Sequence, residues 1–176
     1  DSDADGVFLD LGTNAEVAVF SRGSVSVSSA AAGPAFEGYG IVNGRPALDG
    51  AIERVQFLNG ELVLKVIGGG EPRWLCGSGL VSAIRALRDA GHMGSDGRMT
   101  PDGPLTSDFT EIDGIMAVTL NNSRGPGVVL TQKDIRAFQL AKGAVAAALT
   151  LVARDSGLKP QKKMRFIVAG AFGNAL

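Results

Sequence analysis

The stretch Gly6-Val7-Phe8-Leu9-Asp10-Leu11-Gly12-Thr13-Asn14 decides how this chain is read. Apolar residues lead into an acid and a Gly-Thr turn follows. A second apolar run, Glu16-Val17-Ala18-Val19-Phe20, leads away. The pattern predicts a β-hairpin whose turn carries Asp, Gly, Thr and Asn. Two readings of that turn stand side by side. In one, Gly12 lets the backbone approach a ligand, its N–H and that of Thr13 face an anion, and the Asp10 carboxylate holds a hydrated Mg²⁺. In the other, the same residues make an ordinary tight hairpin.

Working outward, Ser24-Val25-Ser26-Val27-Ser28-Ser29 alternates polar and apolar and predicts a third, half-buried strand. Three strands with short links make an antiparallel meander. Ala30 to Gly38 then breaks into a loop at Gly33-Pro34. Its carboxylate, Glu37, reads as a solvated loop charge before it reads as a catalytic base. Ala51–Phe57 and Glu61–Ile67 pair across Asn59-Gly60, a strong hairpin signal. A helix follows, with Ser78 as N-cap, apolar Leu80, Val81, Ile84 and Leu87, and Gly91 as C-cap. The N–H groups of Gly77, Ser78 and Gly79 suit a phosphate, and the glycines equally suit close packing on a sheet. Cys76 reads as a small buried residue and His92 as a partner for the helix dipole.

Residues 92–114 are rich in Gly, Pro, Asp, Ser and Thr and predict a flexible excursion. Ile115–Leu120 and Gly127–Leu130 predict a further strand pair. Thr131 to Ser156 is the strongest helix, with Thr131 as N-cap, Asp134 at the capping-box position and Gly157 at the end. Its apolar stripe is Ile135, Phe138, Ala141, Val145, Leu149 and Val152. Lys133, Arg136, Gln139 and Lys142 lie off that stripe and face either solvent or a cleft. Met164–Gly170 predicts a buried strand running into Gly170-Ala171-Phe172-Gly173-Asn174, a turn shaped for a nucleotide.

At 176 residues the chain fits one domain or slightly more. A net charge of −1 and 6% aromatic residues give no case for nucleic acid or an anionic membrane surface. One cysteine and one histidine exclude an internal disulfide, an iron–sulfur cluster or a Cys/His zinc site held by this chain alone. The pattern suits the cytoplasm. The most apolar run, Gly143 to Ala153, is too short as read to span a bilayer. The polar start before Asp10 and the stop just past Gly173 predict a fragment of a longer protein.

Order and spacing together carry more than any single motif. A meander opening on Asp-x-Gly-Thr, then helices, then a long amphipathic helix, then a strand into a Gly-rich turn matches one half of an actin-like ATPase. The segments Leu9-Asp10-Leu11-Gly12-Thr13-Asn14-Ala15-Glu16, Ala31-Ala32-Gly33-Pro34-Ala35-Phe36-Glu37-Gly38 and Cys76-Gly77-Ser78-Gly79-Leu80 occur in order. Leu130-Thr131-Gln132-Lys133-Asp134-Ile135-Arg136, Gln139-Leu140-Ala141-Lys142-Gly143-Ala144 and Ala169-Gly170-Ala171-Phe172-Gly173-Asn174 follow. Together they resemble the C-terminal domain of the ATP-dependent reductive activators of corrinoid proteins, in the acetate and sugar kinase/Hsp70/actin superfamily.

The resemblance covers nearly the whole chain. It implies an α/β fold: an actin-like ATPase (ribonuclease H-like) lobe over 1–176, with a mixed sheet, an antiparallel meander and flanking helices. It implies a full-length protein with an N-terminal [2Fe–2S] ferredoxin domain that uses ATP to return Co(II) corrinoid, on a methyltransferase partner, to Co(I). By similarity, Asp10, Gly12, Thr13 and Asn14 form a phosphate loop, with Asp10 near Mg²⁺ through water. Gly170, Gly173 and Asn174 form the adenosine loop. Gln139 and Lys142 are candidates for the nucleoside from helical face alone, and Gly77, Ser78 and Gly79 are candidates at their helix N-terminus.

Departures from the family pattern limit the reading. The cluster cysteines and the first phosphate loop are absent, and the adenosine loop reads Gly-Ala-Phe-Gly where the family usually shows Gly-Gly-Phe-Gly. The expectation is half a nucleotide site that binds ATP weakly and transfers no electron by itself. The corrinoid protein is the expected partner, and a homodimer is left open. Two rival readings are a small-molecule kinase of the same superfamily and a non-catalytic interaction or dimerisation module.

Overall fold

A computed structural model describes residues 5–121, 127–158 and 164–169. The strands are β1 (Gly6–Asp10), β2 (Asn14–Ser21), β3 (Ser24–Ala31), β4 (Ala51–Leu58), β5 (Glu61–Val66), β6 (Trp74–Leu75), β7 (Phe109–Ile112), β8 (Ile115–Thr119), β9 (Val129–Thr131) and β10 (Arg165–Ala169). The helices are α1 (Gly77–Asp89) and α2 (Gln132–Asp155). The chain divides into two compact units: Asp1–Pro34 with Leu140–Leu176, and Ala35–Gln139. The division falls within α2.

The first unit holds the expected meander. β1 pairs antiparallel with β2, and β2 with β3. The link between β2 and β3 is Arg22-Gly23, both at positive φ (52° and 74°), a primed turn whose twist matches the strands it joins. β10 adds to the other side of β1 in parallel, from Gly6↔Arg165 to Asp10↔Ala169, so the sheet runs β10-β1-β2-β3. Ala15, Val17 and Val19 are buried on one face of β2, and the register puts Val7 and Leu9 of β1 beside them. The second half of α2, in the same unit, buries Ala141, Val145, Ala148 and Val152 at helical spacing. The other sheet face sets Ile167, Phe8, Ala18 and Val27 in one row, with Val27 73% exposed.

In the second unit α1 packs against β4. Leu80, Ala83 and Leu87 are buried, as are Ile52, Val55 and Leu75. Burying each of the larger of these side chains contributes about 1.5–3 kcal/mol. β4 pairs antiparallel with β5 across Asn59-Gly60, as the sequence predicts, and parallel with β6. β7, β8 and β9 form a second small sheet. The N-cap of α1 is Cys76, one residue before the helix begins, and not Ser78, whose hydroxyl is buried against the Cys76 Sγ at 3.3 Å. At the other end the Gly91 N–H donates to Arg88 O and the His92 N–H to Leu87 O, the paired bonds of a Schellman ending.

The sequence predicts a flexible excursion over 92–114, and in the structure this segment carries a set of side-chain hydrogen bonds. His92 is fully buried. Its Nδ1 lies 2.8 Å from Thr100 O, and the Leu105 N–H donates to its Nε2 at 2.9 Å. An N–H donor needs an acceptor nitrogen, so the ring is the neutral Nδ1–H tautomer. The ring rests on Phe109 at 4.8 Å. His92 is thus a staple for two loop strands and not a surface partner of the helix dipole. The Gln132 side chain accepts from the Met99 N–H at 2.8 Å and donates to Gly97 O at 2.8 Å. The Gly and Pro signals mark turns here, including Asp113-Gly114 between β7 and β8, and side chains satisfy the freed backbone groups.

α2 begins with a capping box. The Thr131 N–H and hydroxyl both donate to Asp134 Oδ2 (2.9 and 2.7 Å), and the Asp134 N–H donates to Thr131 Oγ1 at 3.2 Å. The other carboxylate oxygen, Oδ1, accepts from the Val42 N–H at 2.8 Å. The 24-residue helix is long and apolar enough to cross a bilayer by length and composition, which the 11-residue apolar run alone does not suggest. Its described partners are protein groups: the cap, the Met99–Gly97 loop and the buried stripe.

His92→Ala removes the acceptor of the buried Leu105 N–H and the donor to the half-buried Thr100 carbonyl, and opens a cavity. It is expected to destabilise the protein by about 3 kcal/mol in urea unfolding. In the unmutated chain the Met99 and Leu105 amides are expected to exchange slowly with solvent deuterium. Exchange of both within the dead time would show the segment to be mobile.

Candidate functional site

β1 ends at Asp10 because Leu11-Gly12-Thr13 must turn the chain back into β2. Asp10, Leu11 and Gly12 are half-buried, while Thr13 and Asn14 are exposed. The turn is therefore fixed at its root and open at its tip. The register places Asp10 directly opposite Glu16, with Ala169 on its other side and Ser29 beyond Glu16. Directly opposed residues hold their Cβ atoms about 4.5–5.5 Å apart, and two like charges so placed repel. A hard divalent cation with oxygen ligands relieves that repulsion. The residues present thus fit Mg²⁺.

Glu16 was not singled out from the sequence as a site residue. Asp10 opposes Glu16 because five residues, Leu11–Ala15, link them, and the sequence by itself does not give that register. The parallel ladder supplies the second feature. Asp10 and Ala169 are neighbours at the same end of their strands, and Gly170 follows Ala169 in sequence. Gly170, Gly173 and Asn174 lie outside the described residues.

Gly77, Ser78 and Gly79 lie in the second unit, in the first turn of α1, all three buried. A Cβ on Gly77 would overlap the Phe36 carbonyl oxygen, and one on Gly79 would overlap the Ile52 carbonyl oxygen. Of the two sequence readings, close packing is the one the structure displays at these glycines. Gln139 has its amide engaged: Nε2 donates to Asp96 O at 2.9 Å, and Oε1 accepts from Arg136 at 2.5 Å. Lys142, three residues on along the same helical face, is exposed. A cleft of about 490 Å³ in the second unit is lined by Glu61, Leu64, Pro104, Asp108, Thr119 and Asn121 among others, and by none of the residues selected from the sequence.

Cys76 is buried, its Sγ 3.2 Å from Ile52 O. This lone buried thiol does not fit an iron–sulfur cluster, which needs four ligands. Among the described residues no group of three or more His, Cys, Asp or Glu is placed to hold a metal. Any cation at Asp10 and Glu16 would complete its shell with water and ligand oxygens.

A meander, a long helix and a returning strand parallel to β1 define a lobe of the actin-like, ASKHA class. Within that class, the chain belongs to the family described as the C-terminal domain of RACo, the ASKHA domain, whose model matches residues 5–176. It is 37% identical, over 96% of its length, to the corrinoid activation enzyme RamQ of Eubacterium limosum, covering 30% of that protein. It is 29% identical, over 93% of its length, to the [Co(II) methylated amine-specific corrinoid protein] reductase of Methanosarcina barkeri, covering 31% of that protein. A solved reductive activator for a corrinoid, iron-sulfur protein superposes on 97% of the chain with a TM-score of 0.87 at 30% identity, covering 28% of that structure's chain. The chain thus spans less than a third of the length of the relatives it matches.

The packing role of the α1 glycines has a direct test. Gly77→Ala is expected to lower stability by about 3 kcal/mol, because backbone oxygen cannot move aside as a flexible side chain can. Gly143→Ala, at an exposed site in α2 with nothing near its added Cβ, is expected to raise stability by about 0.5–1 kcal/mol. Thermal unfolding of both variants reads the contrast.

Proposed function

We propose that the chain is a nucleotide-binding lobe of an ATP-dependent reductive activator, which returns the Co(II) corrinoid of a methyltransferase partner to Co(I) by one-electron transfer. The observation that carries the nucleotide part is the parallel β1–β10 ladder. It makes the turn after Asp10 and the Gly-rich segment after Ala169 leave from adjacent strand ends. Crevices beyond the carboxyl ends of adjacent parallel strands are where α/β sheets bind ligands. The names of the relatives support the corrinoid part.

In this proposal Asp10 and Glu16 orient a hydrated Mg²⁺, and the N–H groups of the Gly12–Asn14 turn face phosphate oxygens. Gly170, Gly173 and Asn174 lie against the nucleoside, and Lys142 contributes positive charge from α2. When bound, Mg·ATP supplies the free energy of hydrolysis that an uphill electron transfer requires. A [2Fe–2S] cluster in an N-terminal domain would supply the electron, since the single thiol of this chain cannot provide the four ligands of such a cluster. The proposed compartment is the cytoplasm.

Asp10→Asn and Glu16→Gln are each expected to weaken Mg·ATP binding about tenfold or more, in line with the usual effect of removing a group that orients a metal's ligands. Titration calorimetry on the full chain measures it, and unchanged affinity in Asp10→Asn would sink the phosphate-loop assignment. Corrinoid reduction, followed by the Co(I) absorption, is expected to require ATP. Full reduction without nucleotide would overturn the activator reading.

A further inference from the structure

We propose that Gly33 is a positioning residue for the Asp10–Asn14 turn, fixing which way one of its peptide groups faces; the proposal rests on the nucleotide reading above. The regular β2–β3 ladder ends at Asn14↔Ala31. Beyond it the Ala32 N–H turns back to Ala30 O at 2.8 Å. The chain then swings so that the Gly33 N–H donates to Thr13 O at 2.9 Å. That swing uses φ +79° at Gly33, a left-handed conformation that L side chains disfavour.

Space is not the reason for the glycine. A Cβ built on Gly33 meets nothing within 4 Å, in contrast to Gly77 and Gly79, where it strikes backbone oxygen. The requirement at position 33 is conformational, and its product is one hydrogen bond across to the turn. Pro34 then fixes the next φ and stiffens the exit from this link.

The consequence for the turn follows from peptide geometry. In a trans peptide the C=O and the following N–H point in opposite directions. With Thr13 O held by Gly33, the Asn14 N–H is turned away from β3, toward the side on which Asp10 lies. Release of that bond frees the Thr13–Asn14 peptide to flip. A flip replaces an N–H by a carbonyl oxygen at the same place, and so replaces attraction for a phosphate by repulsion. Gly33 touches no ligand in this scheme and acts through Thr13.

Four variants of the full chain, titrated with Mg·ADP by calorimetry and melted without nucleotide, test this. Gly33→Ala is expected to weaken Mg·ADP binding about tenfold, and Gly33→Asn to recover most of the loss, because Asn tolerates the left-handed region. Gly23→Ala imposes similar strain, at φ +74° with nothing within 4 Å of its Cβ, in the β2–β3 turn away from Thr13. It is expected to match the melting shift of Gly33→Ala and to keep wild-type affinity. Equal affinity losses in the two alanine variants would reduce Gly33 to a stability effect and overturn the proposal. Wild-type affinity in Gly33→Ala beside lost affinity in Asp10→Asn would overturn it while leaving the nucleotide reading intact. Unchanged affinity in Asp10→Asn would remove that reading and this proposal with it.

Discussion

The first unit exists because β1 and β10 pair in parallel. Its residues come from opposite ends of the sequence, and the register from Gly6↔Arg165 to Asp10↔Ala169 joins them. Closing so long a loop carries an entropic cost that grows slowly with length, so an intervening unit of its own can be accommodated between β3 and α2. In the same unit α2 buries Ala141, Val145, Ala148 and Val152, and the sheet buries Val7, Leu9, Val17 and Val19. A parallel pair has no hairpin to define it, so its register rests on side-chain burial. A one-residue slip of β1 would turn Val7 and Leu9 out of the core and Asp10 into it.

How much of this was legible in the sequence depends on the range of the interaction that made each element. Local chemistry was readable. Asn59-Gly60 announced its turn, Thr131 and Asp134 their capping box, and Gly91 and Gly157 the two helix ends. The alternation in Ser24–Ser29 announced β3, although its apolar residues Val25 and Val27 stand exposed. Elements that exist only through distant partners were not readable. β6 is two residues long and stands because it pairs with β4; β7 hid among Gly, Pro and Asp residues and stands because it pairs with β8. His92 looked like a charge at a helix end because its hydrogen-bond partners, the Thr100 carbonyl and the Leu105 N–H, become neighbours only after the chain turns twice. Ser78 looked like an N-cap because it is the right residue type, but the cap is Cys76 and the helix starts two residues earlier than a Ser78 cap would place it, with Gly77 close to the Phe36 carbonyl.

The candidate site divides in the same way. The Asp10–Asn14 turn was visible as a turn, and the ladder adds what sequence could not, the neighbour on its far side. Glu16 and Gly33 both stand inside sequence motifs that give them no signal of their own. Neither has a meaning until register is known: Glu16 acquires one by standing opposite Asp10, Gly33 by reaching Thr13. The glycines answer to different demands. At Gly77 and Gly79 backbone oxygens occupy the space a side chain would need. Gly33 sits in an unremarked loop with room around it.

Electrostatics gives the turn its direction of action. Asp10 and Glu16 stand opposite one another in a row otherwise made of Ala169 and Ser29, with no basic side chain in that row to neutralise them. An approaching phosphate adds a third anion. Nucleotide and cation are therefore expected to bind as one species, since the cation removes both the carboxylate–carboxylate and the carboxylate–phosphate repulsion. The N–H groups of the turn can favour an anion only once that repulsion is cancelled.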